Sequence, residues 1–370
     1  MEKKKVVLLS PFSLGAASCK RLYYLSRHLN VNKRLFLVGE DKYGKTEKED
    51  WFQYTSQRRD DRYYPAYLLN VIRLLIKERP DIIHYNKPHH LTLIPALIYK
   101  KLFRCKLVFD CDDWEPAIQE ELGAGRRKLL VVEKLMKLGF EKSDAIIVHN
   151  TNLKKEVPAE FQKKVYMITN GVDTKKFRPL PARKNSGIFN AVYVGTLHKI
   201  TTITPLVEAI GIAASSIPNL RCTIVGGGKG EKELRQLIKE KNASNAFRLL
   251  GTQPHEKIPQ LLSQADALLM PCTRLKSLEY ASNMKLFEYM AMQKPIVAVR
   301  IGDTPAILEE GKAGYIAQPD SPRSIAGKLV EIFKNPKEAD KKARRARKLA
   351  VERYDWDVLS KKLEEVYRRI

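Results

Sequence analysis

Apolar residues in this chain fall into short continuous runs rather than alternating with polar ones. In the first half these are "VVLLS" (6–10), "LFLV" (35–38), "DIIHY" (81–85), "KLVFD" (106–110), "AIIVH" (145–149) and "VYMIT" (165–169). In the second half they are "AVYVG" (191–195), "CTIVG" (222–226), "RLLG" (248–251), "ALLMP" (267–271), "PIVAV" (295–299) and "GYIA" (314–317). Runs of this length, rich in β-branched residues and separated by helix-length segments, predict parallel strands covered on both faces. Two such series predict an α/β protein of two doubly wound Rossmann-like domains. Ligands of open α/β sheets bind outside the carboxyl ends of the strands. Two facing sets of strand-end loops therefore predict a deep interdomain cleft.

The series breaks at "FRPLPARKNSGIFN" (177–190), where prolines and a polar, glycine-containing run precede the next strand. The expected division is an N-terminal domain over 1–178, a C-terminal domain over 179–350, and a last helix over 351–370. That helix is expected to pack back on the N-terminal domain. The basic cluster at 341–348 reads as a solvated helix face.

At 370 residues, 44% hydrophobic and 29% charged, the chain has the composition of a two-domain globular protein. Its five scattered cysteines form no CxxC pair, which predicts a reducing cytoplasm and neither a disulfide framework nor a zinc site. The opening "MEKKKVVLLSPF" has too short an apolar run for a signal peptide, and no segment has the length of a membrane span. The net charge of +25 is divided almost evenly: residues 1–180 hold 35 basic and 22 acidic residues, residues 181–370 hold 32 and 20. Such a spread suits phosphorylated substrates or anionic lipid. Nucleic acid is not expected, because no helix-turn-helix, RNA-recognition motif or zinc-finger spacing is present.

Candidate chemistry gathers in the strand-end loops. In "SNMKLFE" (282–288) a helix is expected to start at Ser282 or Asn283, both good caps. Lys285 then lies in the first turn, where the partial positive charge of a helix start disfavours a cation. The placement makes sense if a phosphate or diphosphate docks there. Glu288, one turn on, could accept hydrogen bonds from a ribose diol. The bland alternative is a surface pair between Lys285 and Glu288, worth about 0.2–0.5 kcal/mol. "TIVGGGKGEKELRQLI" is a strand, a glycine run and a helix, but Gly226, Gly227, Gly228 and Gly230 do not have the dinucleotide-fingerprint spacing. The loop around Gly15 is another flexible strand-to-helix turn. "LVFDCDDWEP" places Asp110, Asp112, Asp113 and Glu115 past a strand, which suits sugar hydroxyls, loop fixing or a divalent metal.

In combination these segments resemble the family 4 retaining glycosyltransferases of the GT-B type. The resemblance is carried by "TNGVDTKKFRP", "VYVGTLH", "CTIVGGGKGEKELRQL", "RLLGTQPHEKIPQLLSQADALLMPC", "KLFEYMAMQKPIVA", "IGDTPAILEEGKAGYIAQP" and "SPRSIAGKLVEIF", in that order. It implies transfer of a hexose-type sugar from a nucleotide-diphosphate donor to a hydroxyl on a glycan or lipid-linked saccharide, with retention. The donor would sit on the C-terminal domain and the acceptor on the N-terminal one. Glu288 would hold the ribose, while Lys285 and the amides around Met284 and Leu286 would hold the diphosphate. Gly251 and Thr252 would lie at the base, Gly15 would approach the donor phosphate, and Gly195, Thr196, Lys199 and Gly226 would also border the donor. Asp112 would face the donor sugar. No metal or cofactor is implied.

The pattern departs from the family in two places. The expected acid eight residues before Glu288 is Tyr280, with Glu279 beside it; Glu279, or Ser282 and Asn283, would take over the sugar contact. The family's arginine and lysine after the first strand of the second domain are replaced by Thr196 and Thr201, with Lys199 nearby. These departures keep open a second reading, a degenerate GT-B scaffold that binds donor without turnover. Two segments bear on the acceptor and on an anionic membrane surface: the aromatic-laced stretch 42–67 and the basic amphipathic helix expected over 125–144. The protein is expected in the cytoplasm, with peripheral contact at the inner face of the membrane.

Overall fold

The computed structural model describes residues 4–12, 16–38, 51–56, 64–181, 187–197 and 203–370. The chain divides into two compact units. The first comprises Met1–Asn170, Tyr280–Ser282 and Trp356–Ile370; the second comprises Gly171–Glu279 and Asn283–Asp355.

The first unit is built on a parallel sheet of β1 (Lys5–Ser10), β2 (Asn32–Val38), β3 (Phe52–Ser56), β4 (Ile82–Asn86), β5 (Lys106–Cys111), β6 (Ala145–Val148) and β7 (Val165–Met167). The order across it is β3-β2-β1-β4-β5-β6-β7, so the winding reverses between β1 and β4. Six of these strands coincide with the apolar runs. The edge strand β3 lies inside the charged, aromatic-laced segment 42–67 and was not foreseen. It is paired with β2 alone, across a register shift at Leu37/Val38. Residues 42–50 and 57–63 of that segment lie outside the described residues, and 64–67 open the helix Tyr64–Glu78.

β4, β5 and β6 are buried along almost their whole length, as strands covered on both faces must be. The terminal helix Trp356–Arg369 seals one face of this sheet. Its Trp356 stacks on Tyr24, its Ser360 hydroxyl donates to the Leu25 carbonyl at 2.8 Å, and its buried Tyr367 hydroxyl meets His84 on β4.

The second unit holds β8 (Phe189–Val194), β9 (Leu220–Val225), β10 (Phe247–Leu249), β11 (Ala267–Met270), β12 (Ile296–Val299) and β13 (Tyr315–Ala317), in the order β10-β9-β8-β11-β12-β13. Both sheets are parallel throughout and share the doubly wound order.

The charged helix Pro336–Arg353 buries only a stripe of small residues, Ala339, Ala343, Ala346 and Ala350, with Leu349. Such a stripe allows close approach to the helix Met284–Ala291, whose Phe287, Met290 and Ala291 share a core cluster with Ala346 and Ala350. The solvated face expected over 341–348 holds for Arg344 and Lys348, which pair with Asp340 and Glu352 on the same helix. It fails for Arg347. Its guanidinium donates to the carbonyls of Phe177 (2.8 Å), Ala291 (3.0 Å) and Thr174 (3.1 Å), tying the loop after 173 to the carboxyl end of that helix.

Among the described residues no helix is long and apolar enough to cross a membrane.

Candidate functional site

In the second unit, backbone closes the carboxyl end of the sheet. The Gly195 amide donates to Val225 O (2.9 Å), the Gly226 amide to Gly251 O (2.8 Å), the Leu197 amide to Gly227 O (3.0 Å) and the Gly230 amide to Leu197 O (2.7 Å). Three successive loops are thereby laced together with no side chain between them. Glycine is obligatory here for a steric reason. At Gly226, with φ +142°, a Cβ would fall 1.9 Å from the Gly195 carbonyl oxygen; at Gly228, with φ +151°, it would fall 2.6 Å from Leu197 O. The close approach expected of a ligand at Gly226 is thus made by the chain's own backbone. Thr252 lies beside this weave, with its hydroxyl 2.5 Å from where a Cβ on Gly227 would stand; Gly251 faces open space. Thr196 is exposed.

The helix Met284–Ala291 starts after Asn283, whose side chain makes no capping bond. The Leu286 amide, expected at the diphosphate, instead donates back to Asn283 O at 3.0 Å, which leaves the amides of Met284 and Lys285 at the helix start. The helix is tied to β8 by Tyr289, whose hydroxyl accepts from Val194 N at 2.8 Å. That tie carries Lys285, one turn earlier, to the end of β8. Its ammonium lies 4.9 Å from the centre of the Tyr193 ring, and 2.6 Å from where a Cβ on Gly195 would stand. The pairing of Lys285 with Glu288 does not form. Among the described residues Lys285 has no carboxylate within salt-bridge distance. Glu288 Oε1 instead meets His255 Nε2 at 3.2 Å, and His255 Nδ1 meets Lys176 Nζ at 2.8 Å.

Glu279 turns its Oε2 to the Gly302 amide at 2.9 Å, stapling the helical turn Lys276–Glu279 to the loop after β12. Ser282, which belongs to the first unit, accepts from Asn170 Nδ2 at its carbonyl (2.6 Å), and its buried hydroxyl has no partner among the described residues.

In the first unit, buried charge lines the carboxyl end of the sheet. Arg21, from the helix Ala17–Arg27, spans Asp110 with its Nε (3.0 and 3.2 Å) and donates to Thr169 O, Ile168 O and Asn170 Oδ1. The Asp110 carboxyl is buried, yet Arg21 and His84 hold it well below the usual carboxylate range. One residue past β4, Lys87 adopts φ +64°, a left-handed conformation uncommon for a side-chain-bearing residue. Its buried ammonium meets Asp112 (3.3 Å), Asp113 and Glu115 (2.7 Å).

Three carboxylates around one cation cannot all ionise cheaply. Burial raises Asp112 to about 8, with Asp113 and Asp110 adding to the effect and Lys87 opposing it; Lys87 itself is held firmly charged. The acidic cluster past β5 is therefore organised by a lysine. Among the described residues no group of His, Cys, Asp and Glu has the disposition of a metal site.

Cys111 pairs with Val148 across β5 and β6, which puts Asp112 and His149 on neighbouring strand ends. His149 Nε2 donates to Tyr280 O at 2.8 Å; burial and the nearby Arg21 push its imidazole down to about 3, so the ring is neutral. Its Nδ1 and both side-chain polar atoms of Asn86 are buried with no hydrogen-bond partner among the described residues, while Asp112 Oδ1 faces the Lys87 ammonium at 3.3 Å. Buried polar atoms are nearly always satisfied, so this edge has unspent capacity for a polar ligand or water.

Gly15 and Lys199 lie outside the described residues. In the second unit the structure gathers Gly195, Gly226, Gly251, Thr252, Lys285 and Glu288 at the sheet's carboxyl end. Arg21, Lys87, His149, Lys176 and His255 were missed. The basic residues among them sit in ordinary helical or loop sequence, and their partners are distant along the chain. His149 alone carried a local signal, a histidine closing an apolar run at a strand end.

Two doubly wound parallel domains with this glycine-laced strand end define the GT-B architecture. Residues 174–367 match the family described as glycosyl transferases group 1, and residues 22–176 match Glycosyltransferase Family 4. The chain belongs to this family of glycosyltransferases.

Over 224 residues it is 27% identical to D-inositol 3-phosphate glycosyltransferase of Corynebacterium urealyticum, a match covering 56% of this chain and about half (51%) of that protein. Sucrose-phosphate synthase from Thermosynechococcus elongatus has the same fold, with a TM-score of 0.79 at 17% identity over 99% of both chains. So has Anabaena HepE in complex with UDP, with a TM-score of 0.76 at 17% identity over 99% of this chain and 100% of that one.

Proposed function

We propose that the protein transfers a hexose-type sugar from a nucleoside-diphosphate sugar to a hydroxyl of a glycan or lipid-linked saccharide, with retention at the anomeric carbon. The observation that carries this reading is Lys285: a cation in the first turn of a helix, beside Gly195, with no carboxylate neighbour among the described residues. A diphosphate supplies the missing anion. Charge that develops on it as the sugar departs would be met by the Lys285 ammonium and by the amides of Met284 and Lys285. Glu288, one turn on, would accept from the ribose hydroxyls. The UDP held by Anabaena HepE supports a nucleotide at this kind of fold. No metal is needed for this scheme, because lysine and helix dipole supply the positive charge.

The first unit would serve the acceptor and the sugar ring. A protonated Asp112, the neutral His149 and Asn86 together offer hydrogen-bond donors and acceptors of the kind a polyol requires. The helix Arg126–Lys142 exposes Leu130 and Val131 among Arg126, Arg127, Lys128 and Lys134, a surface suited to peripheral contact with anionic lipid.

The test is titration of the purified chain with UDP, GDP, ADP and their sugars, followed by donor consumption with and without membrane extract. Binding of one diphosphate series and acceptor-dependent turnover are expected. No nucleotide binding would sink the proposal, and tight binding without turnover across a broad acceptor panel would favour a scaffold.

A further inference from the structure

Glu288 does not stand alone. Its Oε1 lies 3.2 Å from His255 Nε2, and the other ring nitrogen of His255 lies 2.8 Å from Lys176 Nζ. An ammonium has only protons to offer, so Nδ1 must accept and the ring's single proton must reside on Nε2. The pair is therefore a hydrogen bond donated by a neutral imidazole to a carboxylate of defined orientation, rather than a mobile surface ion pair.

The supports of this chain are themselves fixed. His255 packs its ring on Phe177, with centroids 5.4 Å apart. Lys176 rides on a loop held at both ends: Asp173 Oδ1 accepts from the amides of Lys175 (3.0 Å) and Lys176 (2.9 Å), and Asp355 accepts from Thr174 N (3.1 Å). Arg347 clamps the same loop through the Phe177 and Thr174 carbonyls, and reaches the Ala291 carbonyl of the helix that carries Glu288. One arginine thus holds the lysine's loop and the glutamate's helix in register. Only Oε1 of Glu288 is engaged; Oε2 meets no donor among the described residues.

We propose that His255, with its tautomer set by Lys176, is a positioning residue for the donor nucleotide: it holds Glu288 so that the carboxylate presents its remaining lone pairs to the ribose diol. The inference rests on the reading of Glu288 as the ribose ligand and deepens it. A carboxylate free to rotate must be ordered when a diol binds, whereas one held by a donor is already oriented. The consequence is selectivity for ribose over deoxyribose, not simply tighter binding.

The experiment measures binding of UDP, or of the diphosphate preferred in the titration above, against its 2′-deoxy and 3′-deoxy forms. It uses the full chain and its Glu288→Ala, His255→Phe, His255→Gln and Lys176→Met variants. Hydrogen bonds to a charged group predict that the unaltered chain prefers the ribonucleotide by roughly ten- to 100-fold.

His255→Phe keeps the ring on Phe177 but removes the donor, and should collapse that preference to within roughly threefold while leaving the deoxy forms bound as before. His255→Gln, which can still donate to Glu288, should restore it, and Lys176→Met should give an intermediate loss. If Glu288→Ala keeps the preference, Glu288 is not the ribose ligand and the reading beneath the inference fails. If Glu288→Ala abolishes it and His255→Phe does not, the inference alone is overturned. Equal weakening of ribo and deoxy forms in His255→Phe would mark a packing role and would also overturn it. Should His255→Phe fail to fold, His255→Gln decides against His255→Ala by the same ratio.

Discussion

At the carboxyl end of the first sheet the key positions are occupied by buried side-chain charge: Arg21 against Asp110, and Lys87 among Asp112, Asp113 and Glu115. At the carboxyl end of the second sheet the corresponding loops are drawn together through glycine and backbone amides. The contrast separates two ways of building a binding edge on one architecture. A backbone weave spends its amides on the chain's own carbonyls and fixes the loops without committing a side chain, so it leaves little that a single substitution can tune. A side-chain edge can be altered one residue at a time, which suits the variable part of a reaction. It also carries the larger electrostatic risk, because each buried charge depends on a partner far away in sequence.

The largest effect is expected where that dependence is greatest. Arg21→Met leaves Asp110 buried without its cation and frees the carbonyls of Ile168 and Thr169; loss of one partner of a buried pair costs about 3–5 kcal/mol. Denaturant unfolding would measure this, and a cost below about 1 kcal/mol would show that the first edge does not depend on its charges.

Gly226→Ala comes next, at about 2–4 kcal/mol, since it combines forbidden φ with a Cβ driven into Gly195 O. Gly251→Ala, with open space around its Cβ, should cost only the left-handed penalty of about 1–2 kcal/mol. Equal costs at the two glycines would argue against steric lacing.

Lys285→Ala should weaken a nucleoside diphosphate by roughly ten- to 100-fold, the range for a charge-assisted bond, and leave the nucleoside unchanged. Equal weakening of both ligands would remove the phosphate role.

Two further effects are read as pH slopes. Asp112 has a folded pKa raised above its unfolded value, so its contribution to stability is complete below about 4 and is lost as pH rises through about 8. Asp112→Asn should flatten that slope in pH-dependent unfolding of the chain. His149 has the opposite sign: its folded pKa is depressed to about 3, so stability present above about 6.5 is lost as pH falls toward 3. A His149→Gln chain that still lost stability over that window, to the same extent, would exclude His149 as the cause.

The two edges also differed in how much of them could be read in advance. The glycine run at 226–228, the cap residues at Ser282 and Asn283, and Lys285 in a first turn are local signals, because a tight turn or a helix start is encoded within a few residues. Even so, the reason for Gly226 changed: its empty side-chain space is filled by Gly195 O and not by a ligand. Lys87 was invisible because nothing local distinguishes a lysine after β4 from any surface lysine. Its meaning comes from carboxylates past β5, on the next strand. His255 and Arg347 were missed for the same reason. Strand β3 was missed because an edge strand paired on one side need not be continuously apolar.

By itself, the sequence determined the alternation of buried strands and helices, the two doubly wound domains, the glycine turns and the anomalous helix start at Lys285. These follow from periodicity, backbone sterics and helix electrostatics acting over a few residues. Only the tertiary structure decided that Glu288 pairs with His255 rather than Lys285, that Lys87 gathers the acidic loop, and that Arg347 holds the loop of Lys176 to the helix of Glu288. Each of those joins residues separated by tens to more than a hundred positions, and chain folding brings such partners together without leaving a mark in the local pattern.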